Sequence, residues 1–194
     1  MTGPRGLGGA TGAPSPHLLA EMARLREAAA LGPVLDLACG RGRNALAAAQ
    51  AGLRVAAIDR DRGALAALRA AARERGAAVA AVRADLETGL GIPVRPASCG
   101  GILVFRFLFR PLAPAIEAAL APGGILLYET FTLDQKSFDY GPKSSAFLLE
   151  PGELRALFSG LELLHFSEGI REGSRPEALA RLTARRPPGP GPRR

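Results

Sequence analysis

The chain has 194 residues, 47% of them hydrophobic, and a formal net charge of +7. Five arginines near the two ends supply most of that charge, so residues 15–184 carry only about +2. This balance excludes a basic groove for nucleic acid, and the length fits one globular domain with a sizeable core. We expect that domain over 15–184, between a disordered Gly/Pro/Ala-rich tail at 1–14 and a disordered Pro/Arg-rich tail at 185–194.

The two cysteines, Cys39 and Cys99, lie far apart and lack metal-ligand spacing. Residues 1–14 lack the continuous apolar run of a signal peptide or a membrane span. These features predict a cytoplasmic protein, a monomer or a homodimer, that acts on a small molecule without a metal, a nucleic acid or a membrane.

The first predicted element is a helix over 15–30. Leu18 and Leu25 lie on one face at helical spacing, and Ser15 is suited to be the N-cap. We expect His17 on this helix to be exposed or to cap it, with a contact to substrate as the alternative.

Downstream, short apolar runs alternate with helical patterns, which is typical of a parallel sheet covered by helices on both faces. The predicted strands are 34–37, 53–59, 78–83, 101–105, 125–130, 161–168 and 178–184. The predicted helices between them are 44–51, 61–75, 111–121 and 151–158. Residues 133–149 show no period, and a loop of this length inside a domain is more often functional than idle.

The first of these strands leads into the turn Ala38-Cys39-Gly40-Arg41-Gly42, which opens the first long helix after it. Glycine at positions 40 and 42 permits a positive φ and lets a ligand approach the main chain, while the helix start adds unpaired N–H groups. The pattern therefore predicts a ligand-binding turn.

Two classes of ligand use such a turn. Gly40-x-Gly42-x-x-Ala45, with Asp59 following 19 residues after Gly40, satisfies the fingerprint of a dinucleotide site. Asp36, however, precedes Gly40 by four residues, and its carboxylate would repel a pyrophosphate on the turn. The same carboxylate would attract the ammonium group of a ligand that has an amino-acid end and a sulfonium, and S-adenosylmethionine is such a ligand.

Three motifs now agree in order and spacing: Asp36-x-x-x-Gly40-x-Gly42, the acid Asp59 after the second strand, and Ala84-Asp85-Leu86 after the third. Together they resemble the first three motifs of class I S-adenosylmethionine-dependent methyltransferases. The run Asp-Leu-Ala-Cys-Gly-Arg-Gly-Arg-Asn from Asp36 and the later Phe107-Leu108-Phe109-Arg110 resemble the branch that contains the tellurite-resistance methyltransferases.

The resemblance covers residues 33–184. It implies an α/β protein with a single-domain, Rossmann-like class I methyltransferase fold, in which a seven-stranded, mostly parallel sheet carries helices on both faces. It also implies S-adenosyl-L-methionine as the cofactor, bound beyond the carboxyl ends of the strands.

The resemblance assigns a role to each acid in that site. Asp36 would meet the ammonium group, Asp59 the ribose hydroxyls and Asp85 the adenine amino group, with Leu86 and Arg60 against the ring. The remaining expected cofactor contacts are the turn and the end of the fourth strand: Ala38, Cys39, Gly40, Gly42 and Phe105. For Cys39 a small packed side chain is a better interpretation than a nucleophile.

We expect the acceptor to meet Arg106 and Arg110, which follow the fourth strand and could clamp an anion. The alternative is that they form ion pairs with Glu129 or Asp85. Glu129 is the expected general base if the acceptor needs one, with Tyr128 and His165 as further candidates; each of the three also suits a structural role.

The expected reaction is methylation of a small acceptor, for which the resemblance implies a metalloid oxyanion or a small thiol. The fourth strand lacks the Asn/Asp-Pro-Pro-aromatic run of enzymes that methylate nucleobase amino groups. Two alternatives stay open: a catalytically silent ligand-binding protein with this fold, and an NAD(P)-dependent oxidoreductase, which Asp36 disfavours.

Overall fold

The computed structural model describes residues 12–188, and a seven-stranded sheet runs through them. Its strands are β1 (Val34–Leu37), β2 (Val55–Asp59), β3 (Val79–Arg83), β4 (Cys99–Phe105), β5 (Leu120–Phe131), β6 (Glu162–Arg171) and β7 (Glu177–Arg185). Their order across the sheet is β3-β2-β1-β4-β5-β7-β6, in which β1 to β5 are parallel and β7 is antiparallel to both its neighbours. The predicted α/β fold and its seven strands are confirmed.

Six helices accompany the strands: α1 (Pro16–Ala20), α2 (Met22–Ala28), α3 (Arg43–Gln50), α4 (Arg62–Glu74), α5 (Ala113–Ala119) and α6 (Glu153–Leu157). Short 3-10 turns occupy Ala29–Leu31, Arg110–Leu112, Leu133–Ser137 and Ser145–Phe147. The last two divide the predicted loop, and a bridge between Thr132 and Leu149 closes its base.

The predicted first helix is interrupted at Glu21, whose ψ of 5° leaves the helical range and separates α1 from α2. Ser15 caps α1 as expected, because its side chain accepts a hydrogen bond from the N–H of His17. His17 itself is buried rather than exposed, and its Nε2 lies 3.2 Å from the carbonyl oxygen of Leu182.

The two faces of the sheet carry separate cores because side chains alternate along each strand. On β4, Ile102 and Val104 pack into the core beneath α5 and α6, whereas Leu103 and Phe105 pack into the core beneath α1 to α4. All seven residues of β4 are buried, as expected for the strand at the centre of the sheet.

The carboxyl ends of β1, β2, β4 and β5 meet at one edge of the sheet, and the strand order reverses there between β1 and β4. Because β7 is antiparallel, its first residue Glu177 lies at the same edge, paired with Arg171 at the end of β6. Ligands of open α/β sheets bind at such an edge.

The predicted tails lie mostly outside the described residues. At the predicted boundary, β7 continues to Arg185, and the N–H of Arg186 donates to the carbonyl of Gly124 over 2.9 Å. The ordered sheet therefore extends slightly beyond residue 184.

Candidate functional site

The turn after β1 is wound by three residues with positive φ: Ala38 at 51°, Gly40 at 54° and Gly42 at 78°. The N–H of Cys39 donates to the carbonyl of Ile58 over 3.0 Å, which ties the turn to β2. Burial, together with the nearby Asp36 and Asp59, raises the pKa of the Cys39 thiol, so this side chain stays protonated and is not a nucleophile.

The two glycines of the turn serve different purposes. A Cβ on Gly42 would lie 2.3 Å from Cδ1 of Leu68, so this glycine is required for packing against α4. A Cβ on Gly40 would meet no atom within 4 Å among the described residues. The space beside Gly40 is therefore open at the point where the predicted ligand would approach the backbone.

Asp36 is 2% exposed, although it carries a carboxyl group. The N–H of Ala45 bonds to it, but Oδ2 has no hydrogen-bond partner within residues 12–188. Burial raises the pKa of Asp36 to about 7, while Arg43 opposes this increase and Asp59 adds to it. A buried acceptor that lacks a donor fits the ammonium group that the sequence assigns to it.

Asp59 closes the turn from the end of β2. Its Oδ2 accepts the N–H of Gly40 over 2.7 Å and its Oδ1 accepts the N–H of Asp61 over 2.8 Å. Each carboxylate oxygen can accept a second hydrogen bond. The predicted role toward ribose hydroxyls is therefore compatible with these bonds.

The residues after β3 are more exposed than expected for an adenine site. Asp85 is 43% exposed in its side chain, and Nη1 of Arg60 lies 3.9 Å from its Oδ2 and 2.5 Å from Oε2 of Glu87. A cavity of about 360 Å³ is lined here by Arg60, Arg83, Ala84 and Asp85. The side chain of Leu86 is buried in the core beneath α5 and α6, and its contact with the adenine ring stays a prediction.

Arg106 follows β4 and adopts a positive φ of 61°, a conformation that is strained for a side chain of this size. Its Nη1 and Nη2 donate to the two carboxylate oxygens of Glu177 over 2.5 and 2.6 Å, and its guanidinium stacks 4.6 Å from the ring centre of Phe131. Its Nε is buried, has no hydrogen-bond partner among the described residues and lies 3.6 Å from Oε1 of Glu129.

Glu129 on β5 is 1% exposed and is not a free base. Its Oε2 accepts a hydrogen bond from Nε of Arg181 over 2.9 Å, and the hydroxyl of Ser15 lies 3.2 Å from both carboxylate oxygens. The expected general base is therefore corrected to an ion-pair residue that joins α1, β5 and β7.

The other two candidates for a general base are Tyr128 and His165. The hydroxyl of Tyr128 donates to the carbonyl of Phe107 over 3.0 Å, and burial raises the pKa of Tyr128. His165 is exposed on β6, with its ring centre 6.4 Å from that of His17.

Arg110 is also corrected. Its Nε and Nη2 bind both oxygens of Glu153 over 2.5 and 2.8 Å, and its Nη1 and Nη2 donate to the carbonyls of Ala146 and Leu148. Arg110 thus forms an ion pair, as the alternative interpretation expected, but its partner is Glu153 on α6 and not Glu129 or Asp85. Arg110 therefore holds the loop before α6 to the part of the chain that follows β4.

The structure brings six further polar residues to this edge, none of which the sequence pattern assigned to the site: Ser15, Arg43, Asn44, Arg171, Glu177 and Arg181. Asn44 accepts the N–H of Ser15 over 2.9 Å and is 3% exposed, and Nη1 of Arg43 donates to the carbonyl of Ala13. Arg43 also lies within electrostatic range of Asp36, Arg106, Glu129 and Glu177. The available signal was the polar pair 43–44 at the start of an otherwise Ala/Leu-rich helix.

Comparison with known proteins is consistent with this geometry. Residues 34–124 match the Methyltransf_25 family, described as a methyltransferase domain. No curated protein sequence matches the chain. None of the helices within 12–188 is long and apolar enough to cross a membrane.

Many solved structures share the fold. One, described as "Conversion of a Disulfide Bond into a Thioacetal Group during Echinomycin Biosynthesis", is 21% identical with a TM-score of 0.71, covering 93% of this chain and 85% of its own. TehB from Haemophilus influenzae is 20% identical with a TM-score of 0.67, covering 84% of this chain and 61% of its own. An S-adenosylmethionine-dependent methyltransferase from Methanosarcina mazei is 17% identical with a TM-score of 0.66, covering 80% and 92%. At these identities the likeness establishes the fold.

Proposed function

We propose that the chain, as an S-adenosylmethionine-dependent methyltransferase of the class I fold, methylates a small anionic acceptor at the edge where β1 and β4 diverge. A metalloid oxyanion or a small thiol is the acceptor that the sequence resemblance implies. The observation that carries the proposal is Asp36, a buried acid with one oxygen unpartnered among the described residues, beside a glycine turn with open space.

On the cofactor side, Asp36 would hold the ammonium group, and the backbone from Ala38 to Gly42 would approach the amino-acid end. Arg43 would meet the cofactor carboxylate, since it lies within electrostatic range of Asp36. Asp59 would accept hydrogen bonds from the ribose hydroxyls and Asp85 from the adenine amino group. Phe105 is buried at the end of β4 and would pack behind the site.

S-adenosylmethionine supplies an electrophilic methyl group on a sulfonium. An acceptor that is already an anion offers its lone pair without losing a proton, so the protein needs no general base for it. This agrees with the pairing of Glu129 by Arg181 and of Tyr128 by a carbonyl. The chain would contribute alignment and exclusion of water, which together can supply several kcal/mol.

The acceptor side is rich in arginine. Arg106, Arg171 and Arg181 surround the carboxylates of Glu129 and Glu177, and Arg43 lies close to both acids. Positive charge therefore exceeds negative charge in this group of side chains. Such an excess favours an anion over a neutral or cationic acceptor.

The test is a calorimetric titration with S-adenosylhomocysteine of the wild type, Asp36→Ala and Asp59→Ala, with NADH as a second ligand. Micromolar binding that weakens at least tenfold in both variants supports the cofactor site. The matched control is Asp134→Ala, which removes an exposed acid from the 3-10 turn after β5 and should leave the affinity unchanged.

Methyl transfer is then assayed with selenite, tellurite and small thiols. Binding of S-adenosylhomocysteine without transfer to any acceptor would identify a silent ligand-binding protein instead. Binding of NADH alone would overturn the proposal.

A further inference from the structure

The carboxylate of Glu177 lies between two arginine side chains at the carboxyl edge of the sheet. Arg106 grips it with two parallel hydrogen bonds of 2.5 and 2.6 Å, and Nη2 of Arg171 donates to the same carboxylate over 2.5 Å. This is the bidentate geometry with which arginine recognises any carboxylate or small oxyanion. The pair Arg106 and Arg171, with Glu177 between them, is called the anion seat below.

The anion seat lies next to the carboxyl ends of β4 and β5, at the edge of the sheet where we propose that methyl transfer takes place. The backbone N–H of Arg106 donates to the carbonyl of Glu129 over 2.8 Å, which fixes the seat to the ends of β4 and β5. The ring of Phe131 packs against the seat, with its centre 4.6 Å from Cζ of Arg106. A group held there is thus beside the point where β1 and β4 diverge.

The anion seat is only partly closed. Exposure of the side chains is 26% for Arg106, 36% for Arg171 and 14% for Glu177, so an incoming ion could reach both guanidinium groups. Glu177 is the first residue of β7. Displacement of its carboxylate needs only a rotation of its side chain and no movement of the strand.

Arg106 also has one N–H group that donates no hydrogen bond within the described residues. Its buried Nε has no hydrogen-bond partner within the described chain, and its 3.6 Å separation from Glu129 is too long for a hydrogen bond. Buried donors without an acceptor are uncommon in folded proteins. A ligand that moves this guanidinium slightly could satisfy the Nε as well.

We propose that Glu177 is an internal stand-in for the anionic group of the acceptor: the acceptor binds between Arg106 and Arg171 and displaces the Glu177 carboxylate. This inference rests on the proposed function and narrows the acceptor to a carboxylate or an inorganic oxyanion. The competition makes the acceptor bind more weakly than two arginines alone would hold it. Glu177 therefore acts as a residue that determines specificity and affinity.

The test uses the full chain saturated with S-adenosylhomocysteine and titrated with sodium selenite, sodium acetate and 2-mercaptoethanol. Glu177→Gln keeps the side-chain shape and removes its charge, so the affinity for at least one of the two anions should rise tenfold or more. A gain for selenite alone identifies an inorganic oxyanion, and a gain for acetate alone identifies a carboxylate. The neutral thiol should gain nothing.

The matched control is Glu162→Gln. Glu162 also forms a bidentate pair, with Nε and Nη2 of Arg185 at 2.9 and 2.8 Å, but at the opposite end of β6 from Arg171. This variant should bind all three probes as the wild type does. Adding Arg106→Lys to Glu177→Gln should abolish the gain, since lysine lacks the bidentate fork.

An unchanged or lower affinity for both anions in folded Glu177→Gln would overturn the inference, as would an equal gain for the thiol. A gain confined to S-adenosylhomocysteine would also overturn it, because the seat would then belong to the cofactor. Should Glu177→Gln fail to fold, Glu177→Asp takes its place, with a smaller gain expected. Failure of the proposed function is distinct, because the wild type would then not bind S-adenosylhomocysteine at all.

Discussion

At the scale of single residues, the site depends on a carboxyl group kept in an unfavourable environment. Asp36 is buried with one oxygen unpartnered among the described residues, and its pKa is raised to about 7. An ammonium group provides both a charge and a donor, so cofactor binding should draw the proton from this acid. Burial of Asp36 destabilises the unliganded protein. Binding of the ammonium group relieves this destabilisation, and the relief strengthens cofactor binding.

This predicts a pH dependence of cofactor affinity. Because the ionised form of Asp36 binds the ammonium group, affinity for S-adenosylhomocysteine should be constant above about pH 7 and fall towards tenfold per unit below it. The measurement is calorimetry at pH 5.5 to 8.5. In Asp36→Asn the affinity should be low throughout and this slope should be absent; an unaltered slope in the variant would contradict the assignment.

The same acid should lower the stability of the unliganded protein. Its pKa in the folded protein, about 7, lies above the ordinary value of 3.8. Below pH 4 the acid is protonated in both the folded and the unfolded state and imposes no ionisation cost. As the pH rises from 4 through 7, the unfolded state gives up the proton first, so the folded protein becomes less stable. Asp36→Asn should therefore raise the free energy of unfolding at pH 8 by on the order of 1–3 kcal/mol. Urea denaturation at pH 8 and pH 4 tests this, and the gain should vanish at the lower pH.

The two glycines of the turn should separate binding from folding. Gly42→Ala places a Cβ 2.3 Å from Leu68 at a positive φ, so we expect a loss of roughly 2–4 kcal/mol in the free energy of unfolding. Gly40→Ala meets open space and should lose only about 1 kcal/mol, while its affinity for S-adenosylhomocysteine drops at least tenfold. Equal effects of both variants on stability would refute this division of roles.

At the scale of elements, α1 is held to the site by polar side chains. Ser15 caps the helix and contacts Glu129, its N–H donates to Asn44, and His17 lies against the carbonyl of Leu182. Five residues make too short a helix to be stable alone. The order of α1 thus depends on the same side chains that build the site.

Ser15→Ala should therefore cost more than an ordinary cap. Loss of the cap and of a donor to buried Glu129 should lower the free energy of unfolding by about 1–2 kcal/mol and speed amide hydrogen exchange over 17–20. Ser144→Ala is the control, since Ser144 caps a 3-10 turn on an exposed part of the chain. Its effect should stay below about 0.5 kcal/mol, and equal losses in both variants would contradict the special role of Ser15.

Elements also show where sequence reasoning reached its limit. Ser15, Asp61 and Gly76 mark helix ends by local chemistry, so the boundaries near them were predictable. The pairing of Arg106 with Glu129 was among the expected alternatives, and the two side chains lie 3.6 Å apart. The partners Glu177 and Glu153 were not expected, because they lie 71 and 43 residues from Arg106 and Arg110 in sequence. His17 was misjudged for the same reason, since its burial depends on β7, which is 165 residues downstream at the point of contact.

At the scale of the whole molecule, alternating strands and helices and three ordered motifs were enough to predict the sheet and its cofactor edge. The acids Asp36, Asp59 and Asp85 lie within or just after the carboxyl ends of the neighbouring parallel strands β1, β2 and β3, and topology alone brings such positions together. Arg171, Glu177 and Arg181 come from β6 and β7, whose antiparallel placement no local pattern specifies. The acids at this edge were therefore more predictable than the arginine and glutamate side chains beside them.

The intact protein should respond to its cofactor as one cooperative unit. Saturation with S-adenosylhomocysteine at about 100 times its dissociation constant should add roughly 2.7 kcal/mol, which raises the melting temperature by about 5–10 °C for a domain of this size. Differential scanning fluorimetry measures the shift, and Asp36→Ala should show almost none. An equal shift with NADH would count against a methyltransferase site.

The position of β7 between β5 and β6 has a consequence for biosynthesis. While the ribosome has released the chain only through Arg171, β6 lacks the one strand it pairs with in the described sheet, and the outer edge of β5 is open. Glu129 then also lacks Arg181. Open strand edges invite association between neighbouring nascent chains, so a chain truncated after Arg171 should aggregate on expression to a greater extent than the full chain.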